Sequence, residues 1–121
     1  MAVSSILRLV GQARSTSYSA SKAAIVNLVR STGLTYAPVG IRVNAVAPGY
    51  VDTPLVAGLD ESVRGKMIER MPNGRLGTPE EVAEVVCFLA SDAASARGAE
   101  ATPVSAAVAF TTRVTSSNAV T

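Results

Sequence analysis

Histidine is absent from the 121 residues, and cysteine occurs once. Without an imidazole base, no Ser–His–Asp or Cys–His hydrolase can be assembled. One cysteine and no histidine also leave a structural zinc site without ligands, so no metal is expected. Cys87 has no partner for an internal disulfide, which fits a reducing compartment and an expected cytoplasmic location. Aromatic residues are scarce, three tyrosines and two phenylalanines. The 48% apolar content therefore leans on Ala and Val, and such a core gains less per residue than one of Leu and Phe. The formal charge is only +2, from 11 basic residues scattered along the chain against 9 acidic ones. A nucleic-acid surface needs a clustered basic face, so no nucleic-acid partner is expected. No apolar run reaches the roughly 18 residues of a membrane span. The start "MAVSSILRLVGQAR" lacks the basic opening and long apolar centre of a signal peptide. No membrane association is expected, and the length suits one small domain.

What is present reads as alternating strands and helices. "AVSSI" (2–6) is a short β-type run, and 9–17 reads as a loop. From Ser17, the residues Ala20, Ala24, Leu28 and Val29 recur every three to four positions. That spacing predicts a helix over 17–36 with a small-residue face, ended by Pro38 and Gly40. "IRVNAVAP" (41–48) alternates as a strand and stops at Pro48-Gly49. A loop follows over 49–59, then a short helix from Glu61 to Met71 that Gly65 weakens by about 1 kcal/mol relative to Ala. Residues 72–77 form a turn. Thr78, Pro79 and Glu81 make the clearest helix start, an N-cap, a first-turn proline and a capping box. Val82, Val85, Val86 and Leu89 then share one apolar face, and Cys87 on the same helix reads as a small core residue. After Ala99 the pattern weakens; residues 99–110 are a candidate last strand and the rest a Ser/Thr-rich tail. The order implies an open parallel α/β sheet, too few in strands to be complete.

Three places carry chemistry. Tyr18 and Lys22 stand four apart on one helix face, and an ammonium near a phenol stabilises the phenolate, lowering its pKa by roughly 1 to 3 units at close range. The spacing alone also fits an ordinary solvated face. Ser5 lies at the end of the first strand, on the edge where open α/β sheets bind ligands. There its hydroxyl can donate to a carbonyl oxygen or simply bond its own backbone. "PGYVDT" (48–53) ends the second strand at the same kind of edge, as a ligand wall or a plain turn.

Taken in order, "SS" with Ser5 thirteen residues before Tyr18, "YSASK", "GIRVNAVAPGYVDTPL" and "GRLGTPEEVAEVVCFLASDAAS" resemble the C-terminal half of the short-chain dehydrogenase/reductase family. Among its members the likeness is strongest to reductases and dehydrogenases of 3-oxoacyl thioesters and sugars. The resemblance implies half of a Rossmann-type doubly wound parallel sheet over 1–100, with a divergent tail over 101–121. It implies an NAD(P)-dependent oxidoreductase interconverting a small-molecule carbonyl and a secondary alcohol by hydride transfer, with NAD or NADP left open. By position, Tyr18 exchanges the proton with the substrate oxygen, Lys22 assists it and bonds the nicotinamide ribose, and Ser5 holds the carbonyl. Pro48, Gly49, Val51 and Thr53, with Tyr18 and Lys22, line the cofactor. The family's long helix packs against its copy in a partner subunit, which implies a homo-oligomer through 17–36.

The chain also departs from the family. It has no TGxxxGxG-like turn for the dinucleotide phosphates, Ala2 stands where an Asn is usual, and no "PVDGG" follows Glu100. The expectation is a fragment lacking the Gly-rich cofactor-binding half. The alternative is a non-catalytic remnant, or a module that associates through its helix.

Overall fold

The computed structural model describes residues 1–94 and, beyond them, two strands at 103–104 and 107–111. Strand β1 is Ala2–Val3, helix α1 Thr16–Tyr36 and strand β2 Asn44–Pro48. Helices α2 (Pro54–Ala57), α3 (Glu61–Glu69) and α4 (Pro79–Ala90) follow, then strands β3 (Pro103–Val104) and β4 (Ala107–Thr111). The sheet order is β1-β2-β4-β3. β1 runs parallel to β2, with Ala2 opposite Ala45 and Val3 opposite Val46, and α1 is the crossover between them. This is the expected incomplete α/β unit.

The last strands differ from a purely parallel reading. β4 runs antiparallel to β2, from Asn44 opposite Thr111 to Pro48 opposite Ala107, and β3 pairs antiparallel with β4. Two short strands thus occupy the stretch read as one candidate strand. An antiparallel strand beside a parallel pair is a common arrangement in such sheets. The boundary expected at 100/101 lies outside the described residues.

β2 is the centre of the core. All five of its residues are buried, as a strand covered on both faces requires. Val46 packs with Leu89 and Ala94, and the half-buried Val82, Val85 and Val86 close around them. The face anticipated for α4 is therefore the face it buries. Its start is also as read: Thr78 Oγ1 accepts from the Glu81 amide at 3.2 Å, and the Glu81 carboxylate accepts from the Thr78 amide at 2.8 Å. Cys87 is a correction. It is exposed, because the stripe Val82–Val85–Val86–Leu89 faces the sheet and Cys87 projects about 100° per residue away from Val86.

Of the stripe expected for helix α1, only Val29 is buried. Val26, Val29 and Gly33 are its buried residues, whereas Ala20, Ala24 and Leu28 are exposed. Apolar residues surround this helix, so the stripe that meets β1 and β2 is chosen by packing. The helix ends at Tyr36 with a 3-10 turn, Ala37–Val39, and Gly40 in the left-handed region at φ 80°. A side chain resists that conformation and glycine does not.

Both predicted strands prove shorter. The first stops at Val3 because Ser5 caps a 3-10 turn, Ile6–Arg8, with its Oγ accepting from the Leu7 amide at 3.2 Å. The second begins at Asn44 rather than Ile41. Arg42 instead spreads its guanidinium over the end of α4, donating to the carbonyls of Leu89 (2.8 Å), Ala90 (3.1 Å) and Ser91 (3.0 Å). Asn44 Nδ2 adds a bond to the same Leu89 carbonyl at 3.2 Å. Carbonyls at a helix C-terminus lack intrahelical partners, and a cation there also suits the helix dipole.

Candidate functional site

Because β1 and β2 are parallel, their C-terminal ends share one edge of the sheet. Ser4 and Ser5 leave β1 there, and Pro48 and Gly49 end β2. The Ser4 amide extends the ladder by donating to the Val46 carbonyl at 2.7 Å. Open α/β sheets take ligands outside this edge, so the topology brings the candidate residues of both strands to one place.

Ser5 is buried, and its Oγ accepts from the Leu7 amide. Capping uses a lone pair, and the hydroxyl proton has no acceptor among the described residues. A hydroxyl that accepts from an amide is polarised as a donor. The backbone tie expected of Ser5 is therefore present, and its hydroxyl proton is left without a bond among the described residues.

Tyr18 sits in the first turn of α1 and is 47% exposed. The loop before it enters the helix through Arg14 in the left-handed region at φ 64°, a conformation uncommon for a side chain of this size. One turn further on, Lys22 places its Nζ over the Tyr18 ring, 5.5 Å from the centroid. The same Nζ donates to the Val3 carbonyl at 3.1 Å. An ammonium carries three N–H groups, so two remain for the phenol side and for a ligand. The i, i+4 spacing is therefore realised as contact, and the strand end anchors the lysine.

The segment after β2 forms the other wall. Val51 pairs with Gly77 in an isolated parallel bridge, whose bonds are Asp52 N–H to the Gly77 carbonyl (2.8 Å) and Gly77 N–H to the Tyr50 carbonyl (2.9 Å). In such a bridge the central residue's own N–H and C=O point the other way. Among the described residues neither group of Val51 is bonded. They form a free donor–acceptor pair. Thr53 caps α2, its Oγ1 accepting from the Val56 amide at 3.4 Å, and its hydroxyl proton has no acceptor among the described residues.

Two contacts not foreseen in the sequence hold α3 to this wall. Arg64 pairs with Asp52 at 3.0 Å. Arg70 Nη1 donates to Tyr50 Oη at 3.4 Å, and Tyr50 Oη donates to Gln12 Oε1 at 3.2 Å. Gln12 thereby joins the loop before Tyr18 to the loop after β2. Three polar residues this far apart in the chain share no periodic signal. A pocket of about 440 Å³ lies between α2 and α3, lined by Ala57, Leu59, Glu61, Arg64, Gly65 and Ile68. None of Ser5, Tyr18 or Lys22 lines it. Among the described residues no cluster of His, Cys, Asp or Glu is arranged to hold a metal, and no helix is long and apolar enough to cross a membrane.

Comparison with known proteins gives the same residues a context. A family profile described as enoyl-(acyl carrier protein) reductase matches residues 1–106. The chain is 69% identical over 93 residues to cis-4-hydroxycyclohexanecarboxylate dehydrogenase of Sinomonas cyclohexanicum, covering 77% of this chain and 37% of that protein. It is 45% identical over 93 residues to the 3-oxoacyl-[acyl-carrier-protein] reductase FabG of Thermotoga maritima, covering 77% and 38%. Among solved structures, that of gox2181 superposes with a TM-score of 0.74 at 42% identity, covering 78% of this chain and 38% of that one. The chain thus spans under two-fifths of the length of these two curated relatives.

Proposed function

The chain belongs to the short-chain dehydrogenase/reductase family, and from that premise we propose that it supplies the proton-handling half of an NAD(P)-dependent oxidoreductase interconverting a carbonyl and a secondary alcohol. The observation that carries this reading is the Tyr18–Lys22 pair, with the ammonium 5.5 Å from the ring centre and tied to the strand that presents Ser5. In the reducing direction Ser5 donates a hydrogen bond from its hydroxyl to the substrate carbonyl oxygen and keeps its proton. Tyr18 then gives its phenolic proton to that oxygen, completing the alcohol. Lys22 stabilises the phenolate left behind by its charge. In the oxidising direction Tyr18 takes the alcohol proton and Ser5 steadies the same oxygen.

The residues present suit a nicotinamide cofactor. The free N–H and C=O of Val51 match the donor and acceptor of a carboxamide, and Thr53, Lys22, Pro48 and Gly49 border the same edge. The nicotinamide, when bound, supplies or accepts the hydride. The pyrophosphate would need backbone N–H groups at a Gly-rich helix start, which this chain's sequence does not contain. We take the substrate class to be a cyclic secondary alcohol, in line with the relative that is 69% identical, and the location to be cytoplasmic. A second reading, association through α1, draws on the exposed Ala20, Ala24 and Leu28. That face suits a second copy of the chain and is compatible with the first reading.

The test is oxidation of cis-4-hydroxycyclohexanecarboxylate by the purified chain with NAD⁺ or NADP⁺, followed as nicotinamide absorbance, beside direct cofactor titration. Saturable turnover that Tyr18→Phe abolishes is expected. Absence of cofactor binding at millimolar concentration would leave the association module as the surviving reading.

A further inference from the structure

Ser4 precedes the candidate carbonyl donor and plays no part in the chemistry above, yet its amide and its hydroxyl are both engaged. It is 3% exposed. Its amide donates to the Val46 carbonyl at 2.7 Å, and its hydroxyl donates to the Lys22 carbonyl at 2.7 Å, across eighteen positions of sequence. That carbonyl lies inside α1, where helix geometry already gives it the amide four residues on. The hydroxyl is a second donor that the acceptor does not need. From the other end, Lys22 Nζ returns to the carbonyl of Val3, the residue just before Ser4. The last residue of β1 and the one after it therefore grip one lysine twice, at its ammonium and at its backbone oxygen.

We propose that Ser4 is a positioning residue for the Tyr18–Lys22 pair: its bond to the Lys22 carbonyl fixes how far α1 lies along the strand edge, and so where the ammonium stands relative to the phenol and Ser5. The proposal rests on the reading of Tyr18 and Lys22 as the proton-handling pair. A lysine side chain has four flexible carbons and much rotamer freedom to lose. Anchoring both of its ends to residues 3 and 4 removes that freedom before any ligand arrives. Because Lys22 O keeps its helical partner when the hydroxyl is deleted, the loss falls on alignment more than on stability. Displacing a reacting group by about 1 Å can cost about 100-fold in rate.

The experiment compares Ser4→Ala, Ser4→Thr and Ser4→Cys in the full chain. Thr keeps the donor, and Cys keeps the size with a much weaker one. Ser4→Ala is expected to lower kcat about 10- to 100-fold with KM within about threefold, and Ser4→Thr to restore kcat to within about threefold. In parallel, proton cross-relaxation between the Lys22 Hε and Tyr18 ring protons is read by NMR. It should weaken in Ser4→Ala and return in Ser4→Thr. An unchanged cross-peak in Ser4→Ala, or a kcat loss that Ser4→Thr leaves in place, overturns the proposal. Should Ser4→Ala lose its helical circular dichroism, Ser4→Cys carries the same comparison. If the unaltered chain shows no turnover, the functional reading falls, and the cross-peak alone still decides whether Ser4 positions the pair.

Discussion

Leu89 is the residue whose removal tests the architecture most directly. Its side chain is 5% exposed and packs on Val46, and its carbonyl receives bonds from Arg42 and Asn44. Leu89→Ala deletes three carbons. At about 0.8 kcal/mol per buried carbon the transfer part is about 2.4 kcal/mol. Leucine truncations in cores cost about 2–5 kcal/mol, the excess reflecting the cavity left behind. Here Val82, Val85 and Val86 are half-buried neighbours that can close in, so a loss of about 2–3 kcal/mol is expected. Helix propensity does not add to it, since Ala ranks highest. The control is Leu55→Ala, in a leucine 81% exposed on α2, which should stay within about 0.5 kcal/mol of the parent. Urea unfolding followed by far-ultraviolet circular dichroism, at several protein concentrations, reads both midpoints. A Leu89→Ala loss below about 1 kcal/mol, or one equal to that of Leu55→Ala, would show that α4 is not docked on β2 as described.

Glu81 governs an acid-side effect. The Arg75 guanidinium, first, and the Thr78 amide, second, hold its carboxyl down at about 2 from an ordinary 4.5. A depressed carboxyl stabilises the fold above its unfolded-state value, and the gain is lost as pH falls through the folded one. The stability difference between the parent and Glu81→Gln should therefore be constant above about pH 4.5 and shrink towards pH 2; a difference independent of pH would contradict the pairing. Leu28, 65% exposed on the outer face of α1, tests the association reading. Leu28→Glu should move the chain to a smaller species in analytical ultracentrifugation, and an unchanged sedimentation coefficient would remove α1 as the contact.

Local signals with one physical cause were legible in the sequence. Thr78, Pro79 and Glu81 lie within four residues, and each satisfies or tolerates an unpaired helix-start amide, so the capping box forms as written. Pro48-Gly49 likewise marks the end of β2, because a proline cannot continue the ladder. The residues around Tyr18 and Lys22 were legible because helix spacing alone makes them neighbours. The buried face of α1 was not. Ala20–Ala24–Leu28 and Val26–Val29–Gly33 both have helical spacing, and only the partner surface decides between them. Arg42 read as a strand residue since its neighbours alternate, whereas its partners lie 47 to 49 positions away. The free N–H and C=O of Val51 depend on a bridge to Gly77 that no local pattern encodes. Long-range bonds of this kind set the edges of strands, while short-range ones set the ends of helices.

The grip of Arg42 and Asn44 on the last turn of α4 has a dynamic consequence. A helix end held by four hydrogen bonds from the chain entering β2 cannot fray without loosening the strand. β2 and the end of α4 should thus open as one cooperative unit, with amides that exchange at a common slow rate. The α2–α3 segment is tied back chiefly through the exposed Arg64–Asp52 pair and the Arg70–Tyr50 bond, contacts that open far more readily. The strand end that carries Pro48 and Gly49 is therefore the stiff side of the crevice, and the helices beyond Thr53 are the side that adapts.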